Sequence, residues 1–243
     1  MLAIYRKELN TFFSSLIGYL AIGVFLVILG LIMWVIPSTS VLDYNYATLE
    51  QLFGIAPLIF AFLAPAITMR SLSEEKQSGT IELLVTKPLT DLDIVAGKFL
   101  AGVTLLAFAL LPTLLYVWSI HELGNPKGNL DTGAIAGSYI GLLLLGSAFT
   151  GMGMLASALT RIQILAFLLG MVLCITFFFA FDALSELPVF FGKTDDLVQM
   201  LGMKYHYESL SRGLIDTRDL VYFLSLIASF LFFTHLALGS RKW

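Results

Sequence analysis

Residues 70–98 read RSLSEEKQSGTIELLVTKPLTDLDIVAGK, and this stretch decides how the rest of the chain is laid out. It is a charged, helix-prone segment with an apolar span on either side, one ending at Met69 and the other starting at Phe99. Its basic residues, Arg70, Lys76, Lys87 and Lys98, predict a cytoplasmic position, because short loops on that side of a membrane collect lysine and arginine. Ser73 is expected to cap a helix whose first turn carries Glu74 and Glu75, at the positive end of the helix dipole. Gly79 permits a sharp turn. Residues 80–86 then read as a short amphipathic helix, with Ile81, Leu84 and Val85 on one side and Glu82 on another. Pro88 closes it, since proline disfavours helical backbone in the residue before it. Thr90 with Asp93 is a capping-box pattern in which Asp replaces the usual Glu. It opens a helix that runs through Gly97 and Lys98 into the next span. The pattern predicts a hairpin-like platform beneath a bilayer, since a solvated loop needs neither an apolar stripe nor two helix starts.

Outward from this loop the chain is apolar. Of 243 residues, 58% are hydrophobic and 13% charged, against roughly 45–50% and about 25% in an ordinary soluble domain. Mean hydropathy is +0.89. Six segments, near 16–36, 52–69, 99–120, 132–159, 162–181 and 220–238, approach the roughly 20 residues needed to cross a bilayer. The fold class expected is all-α: a polytopic membrane protein, residues 1–243 forming one transmembrane domain. Residues 1–15 place Ile4, Leu9, Phe12 and Phe13 on one stripe, with Arg6, Lys7, Glu8 and Asn10 largely opposite. That fits an interfacial helix rather than a signal peptide. Pro57 and Pro65 interrupt the second span, which a membrane helix tolerates where neighbours satisfy the freed carbonyls. In the fourth span Gly133, Gly137 and Gly141 recur every fourth residue, and Ser147 with Gly151 repeats the spacing. Such a face lets helices approach closely, either within the chain or at a subunit interface or sliding seam. Residues 182–219 hold apolar clusters too short to span: Leu184, Leu187, Val189, Phe190 and Phe191, then Leu197, Val198, Met200 and Leu201. They predict a half-buried extracytoplasmic loop.

Counting basic residues orients the chain. With both termini inside, Arg6, Lys7, Arg70, Lys76, Lys87, Lys98, Arg161, Arg241 and Lys242 are cytoplasmic. Lys127, Lys193, Lys204, Arg212 and Arg218 are outside, so nine of the 14 fall inside. The composition supplies little chemistry. No GxxxxGK[ST] phosphate loop, GxSxG elbow, HExxH helix or Cys/His metal spacing occurs. The single cysteine, Cys174, lies mid-span and reads as packing. Ionisable residues are nearly missing from the spans, apart from His235, and ion-driven transporters use such residues. His121 and His206 fall in outer loops, with no partner that spacing identifies. Energy for any transport has to come from another protein.

The order Glu74, Glu75, Gly79-Thr80-Ile81-Glu82-Leu83-Leu84, Pro88 and Gly97-Lys98 resembles the inner-loop pattern of ABC-2 type transporter permeases. The likeness extends over the whole chain, in the leading amphipathic helix, the six spans and the two long loops. Within that family the chain looks most like the permease subunit of the gliding-motility-associated ABC transporter of Bacteroidota. The tail YHYESLSRGLIDTRDLVYFLSL, with Glu208, Gly213, Asp216 and Asp219, carries that closer likeness. The resemblance implies a non-catalytic, multi-pass protein of the cell inner membrane that binds no cofactor itself. ATP and Mg would sit on a separate ABC ATP-binding subunit, met by Glu74, Glu75, Gly79, Thr80, Glu82, Leu83, Leu84 and Pro88 of a cytoplasmic coupling loop. A second permease subunit, identical or not, would complete the transporter in membrane lipid; no nucleic acid is involved. Two other classes remain open to the sequence. A self-contained channel or secondary transporter would move solute alone on an ion gradient. A membrane scaffold for a motility apparatus would assemble and work with ATP hydrolysis blocked.

Overall fold

The computed structural model describes residues 1–44, 47–80, 90–187 and 195–239. All regular structure among them is helical. The order is α1 (Leu2–Phe13), α2 (Leu16–Trp34), α3 (Val41–Tyr44), α4 (Glu50–Thr68) and α5 (Ser73–Gln77). Then come α6 (Asp91–Leu110), a 3-10 turn (Leu111–Thr113), α7 (Leu114–Leu123), α8 (Thr132–Leu159), α9 (Gln163–Ser185), α10 (Asp195–Gln199), α11 (Met203–Ser211) and α12 (Thr217–Gly239). Five stretches are long and apolar enough to cross a membrane: Glu50–Gln77, Asp91–Leu123, Thr132–Leu159, Gln163–Ser185 and Thr217–Gly239. A sixth comes from α1 and α2 taken together, bent by 68° at their junction. The bend follows from composition. Charged Arg6 and Lys7 are exposed on α1 while Ile4 packs against Gly97 of α6. α2, without a charged residue, runs on as a span. The polytopic helical fold and the separate leading helix thus match expectation.

The second-span helix ends at Thr68, with Met69 as its C-cap, and α5 prolongs the helical stretch through Gln77 after a short break. The third span is broken by the 3-10 turn at Pro112, where the ring removes the N–H that would have bonded the Phe108 carbonyl. The Thr90–Asp93 capping box forms as expected: Thr90 Oγ1 accepts from the Asp93 amide at 3.2 Å, and the Asp93 carboxylate accepts from the Thr90 amide at 3.3 Å. The short helix expected over 80–86, the cluster at Val189, Phe190 and Phe191, and the basic end at Arg241 and Lys242 lie outside the described residues.

α8 is the central post. Buried residues make up 72% of its apolar window, against 22% for α9 and 17% for α12. Small residues make this possible by letting other helices close on its axis. A Cβ on Gly146 would stand 3.1 Å from the Phe60 ring, and one on Gly153 would stand 3.3 Å from Pro65 Cα. Gly151 faces Phe230 of α12. From the other side, Gly102 of α6 receives Thr150, and Gly170 of α9 receives Pro65. Phe25, Phe60, Phe149 and Phe223 fill the core around this post.

At the end away from α1, α11 lies on α8. The stripe expected to pack does so within the chain here. A Cβ on Gly137 would meet the Leu210 carbonyl oxygen at 2.3 Å, and Gly141 faces Tyr207 and Leu210. Gly133 is exposed but lies against Gly213, whose φ of 81° needs a residue without a Cβ. Ser147 is half-buried and returns its hydroxyl to the Leu143 carbonyl. Met203, His206, Tyr207 and Leu210 are the buried residues of α11. The apolar residues singled out from sequence, Leu197, Met200 and Leu201, are exposed. Tyr207 also repairs the second span. Pro57 cannot donate to the carbonyl four residues before it, at Phe53, and the Tyr207 hydroxyl donates to that oxygen at 2.7 Å.

Two substitutions test this end of the fold by unfolding in detergent micelles. Tyr207→Phe strands a buried carbonyl and is expected to destabilise the chain by about 1–3 kcal/mol. Gly137→Ala is expected to cost about 1–3 kcal/mol by overpacking. Gly54→Ala, where a Cβ meets nothing within 4 Å, should be neutral or stabilising by up to about 1 kcal/mol.

Candidate functional site

The site begins at the short break between α4 and α5, residues 69–72. Leu72 is fully buried in a small apolar cluster with Val95, Met154, Ala158 and Leu238, which ties the break to α6, α8 and α12. Ser73 is not the cap that the sequence suggested: the N-cap position is Leu72, whose side chain bonds nothing there. Ser73 Oγ turns back to the Met69 carbonyl instead. The orphan amides at the start of α5 are met from α8. Ser157 Oγ accepts from the Leu72 and Ser73 amides, each at 3.0 Å, and donates to the Met69 carbonyl at 3.0 Å. Lys76 reaches the Ala158 carbonyl next to it. A five-residue helix has little stability of its own, so these tertiary contacts hold it.

The adjacent glutamates then divide. Successive residues on a helix point about 100° apart, so only one of them faces away from the protein. Glu74 is exposed; Glu75 is buried. Glu75 Oε1 accepts from Lys98 Nζ at 2.9 Å and from Lys7 Nζ at 2.8 Å. Lys98, with a side chain only 1% exposed, also donates to Glu8 Oε1 at 2.7 Å and to the Ser71 carbonyl at 2.6 Å. An ammonium has three N–H donors, and three acceptors from three parts of the chain receive them. Burial works against the charge on Lys7, but its hydrogen bond to Glu75 and the negative charges of Glu75, Glu8 and Glu74 outweigh it. They hold the ammonium above its usual range.

Beyond α5 the surface is free. Gln77, Ser78, Gly79 and Thr80 are exposed beside Glu74. Gly79 has φ 72°, and a Cβ there would meet nothing; this is the turn the glycine was expected to permit. Ser78 Oγ and Thr80 Oγ1 lie 2.8 Å apart across it. Of the other residues expected at a partner contact, Glu82, Leu83, Leu84 and Pro88 lie outside the described residues. The structure thus groups Glu74, Gly79 and Thr80 on one surface and turns Glu75 into the interior.

Spacing alone had not revealed Lys7, Glu8, Ser71, Lys98 or Ser157 as parts of this joint. One signal was available: Lys98 sits at the mouth of an apolar run, where a buried ammonium needs an acid from another element. At the opposite end, His206, for which the sequence offered no partner, bonds Asp219 Oδ1 through Nδ1 at 2.6 Å and lies 2.9 Å from the Met200 carbonyl through Nε2. Its ring stacks on Tyr222 at 3.9 Å. His235 is on α12, with a buried Nδ1 that bonds nothing among the described residues. No group of three or more His, Cys, Asp or Glu among the described residues is placed to hold a metal ion.

Removing one member of a buried pair strands the other, at a cost of about 3–5 kcal/mol. Lys98→Met is expected to lose that much stability in micellar unfolding. Adding Glu75→Leu to it should restore part of the loss, because one of the two carboxylates left short of a cation is removed, while Glu75 keeps Lys7 in the single variant.

No curated protein matches the chain. The model of the ABC-2 family transporter proteins matches residues 2–238. Members of that family are membrane components of transporters that work with an ABC ATP-binding subunit. With that match covering nearly its whole length, the chain belongs to the ABC-2 transporter family as a multi-pass permease subunit of an ABC transporter.

Proposed function

We propose that this chain is the transmembrane subunit of an exporter of the cell inner membrane, with both termini cytoplasmic, and that the exporter serves gliding motility. Residues 70–98 form its coupling loop. ATP and Mg are held by a separate ATP-binding subunit, and the free surface around α5, with Glu74, Gly79 and Thr80, docks against it. Glu82, Leu83, Leu84 and Pro88 extend the same contact. Glu75 acts from inside: it does not meet the partner but carries displacement of α5 into the membrane helices. The observation that carries this reading is the triple anchorage of α5, to α8 through Ser157, to α6 through Lys98 and to α1 through Lys7. A push on such a helix moves three others rather than bending a loop.

A second permease subunit, identical or different, pairs with this one through faces the single chain leaves open. α9 and α12 are the least covered spans and present Leu168, Val172, Leu224 and Phe232 outward. The motility assignment rests on the likeness of the tail. There Gly213 closes against Gly133, and Asp219 holds His206 in place.

The test is co-expression with an ATP-binding subunit of the ABC class, measuring co-purification and ATP hydrolysis in liposomes. Glu74→Lys combined with Thr80→Arg is expected to lower permease-stimulated hydrolysis about tenfold, the effect of ~1.4 kcal/mol at the contact. Insertion and thermal midpoint should hold. Undiminished stimulation by the double variant overturns the docking surface. A cysteine introduced at Gln77 should react with an impermeant thiol reagent only after the membrane is opened.

A further inference from the structure

A cavity of about 240 Å³ opens beside the joint, between α1, the end of α4, α5 and α6. On the same measure one water needs roughly 10–15 Å³, so this space is far larger than a single solvent site. Its two halves differ. Toward the loop it is lined by Lys7, Arg70, Ser71, Glu74, Glu75 and Lys98. Toward the spans its walls are Phe12, Ala66, Ala101, Gly102 and Leu105. Three buried polar atoms on its loop side have no partner among the described residues: Arg70 Nε, Ser71 Oγ and Glu75 Oε2. The Glu75 side chain is only 9% exposed. Buried polar groups left unbonded cost free energy, and these three share one cavity.

Their chemistry specifies the missing group. Arg70 Nε can only donate, so it needs an acceptor; Glu75 Oε2 as carboxylate can only accept, so it needs a donor. Ser71 Oγ serves either. The surrounding charges balance, with Lys7, Lys98 and Arg70 against Glu8, Glu74 and Glu75. A ligand with no net charge but both signs therefore fits better than a monoanion. The apolar wall continues from the polar one into the depth of the spans, so the ligand is an amphiphile. α1, bent 68° from the first span, would lie at the level of the head groups. We propose that this cavity binds one aminophospholipid of the leaflet in which α1 lies. Its phosphate meets Arg70 Nε and Ser71 Oγ, its primary ammonium meets Glu75 Oε2, and its glycerol and first methylenes lie along Ala66, Ala101 and Leu105. Basic pockets between membrane helices hold lipid head groups by the same forces. The bound lipid completes the hydrogen bonding of the joint, so α1, α5 and α6 move with a lipid among them. This inference does not depend on export or on the ATP-binding partner.

The test uses the full chain alone in neutral detergent. Native mass spectrometry counts the lipid retained from phosphatidylethanolamine, phosphatidylcholine and phosphatidylglycerol with identical acyl chains. One phosphatidylethanolamine is expected to remain bound, about tenfold tighter than either of the others, since losing one charge-assisted hydrogen bond is worth about that factor. The trimethylammonium of phosphatidylcholine cannot donate to Glu75, and phosphatidylglycerol has no ammonium. Arg70→Gln removes the donor to phosphate, and Ala66→Phe fills the apolar wall without touching the ion pairs. Both variants should retain much less phosphatidylethanolamine than the unaltered chain while keeping the thermal midpoint in lipid-free detergent. Equal retention of phosphatidylcholine by the unaltered chain overturns the proposal, as does phosphatidylethanolamine retention unchanged in both variants. Displacement of the lipid by soluble phosphoethanolamine at equal concentration also overturns it, in favour of a free head-group site. Should either variant fail to fold, the three-lipid comparison on the unaltered chain still decides.

Discussion

An ammonium removed from water is tolerated only where fixed acceptors replace the water. Lys98 meets that condition with three oxygens, from Glu8, Glu75 and the Ser71 backbone. These oxygens belong to the surface helix, to α5 and to the turn before it. The lysine itself belongs to the third span. One buried side chain therefore fixes the relative positions of three segments that are distant in sequence: α1, α5 with the turn before it, and α6. If any of them departs alone, the charge is left short of an acceptor. This is a stronger constraint than apolar contact, because dispersion and burial change gradually as surfaces slide, whereas an ion pair in a low-dielectric setting falls off with loss of alignment and distance. The joint consequently resists sliding and favours motion as a unit.

α8 extends that constraint across the membrane. At one end its Ser157 supplies the bonds that start α5; at the other its Gly137 and Gly141 seat α11. The 28 residues of this helix span about 42 Å at 1.5 Å per residue, enough to cross the hydrocarbon and reach both sets of contacts. Gly146, Gly151 and Gly153 along it, with Gly102 of α6 and Gly170 of α9 opposite, let α4, α6, α9 and α12 pack closely. The far end is closed in a different way: Tyr207 from α11 occupies the carbonyl that Pro57 leaves open. The proline weakens the second span locally, and the loop that carries α11 supplies the missing bond. The loop thereby becomes part of the helix it covers. A change in position of α4 would be felt by α11 directly, through that bond, as well as through α8.

How much of this was legible in the sequence depends on whether the cause was local. The spans, the leading helix, the Thr90–Asp93 box and the turn at Gly79 each follow from residues within about two helical turns of one another, and each is found in the structure. The every-fourth-residue glycines correctly indicated close packing. They did not indicate that Gly102, Gly146, Gly153 and Gly170, which lack the regular spacing, would be as tightly packed. The division of Glu74 from Glu75 was not legible, because a five-residue helix has too little periodicity to assign an inward face. What assigned it was Lys98, 23 residues further on, and Lys7, 68 residues before. The cap supplied by Ser157 comes from 84 residues beyond Ser73, and the hydroxyl on the Phe53 carbonyl from 154 residues beyond it. Composition identifies an acid that needs a base, or a proline that strands an oxygen. It does not identify which distant residue answers.

On the proposed docking, the acidic pair would serve two ends at once. If both carboxylates faced outward, a docked protein would pull on a short helix attached to the membrane domain only by its backbone. If both faced inward, the surface would lack charge to orient a partner. With Glu74 outside and Glu75 inside, α5 presents one carboxylate to each environment, and the rigid rise of about 1.5 Å between them leaves little slack. The outer charge would steer the encounter and set its register, the roles for which exposed charges are suited. The inner one is held against Lys98 and Lys7, where its loss is costly. On the proposed docking, displacement applied at the first would reach the second, and from there the third span, α1 and α8 together.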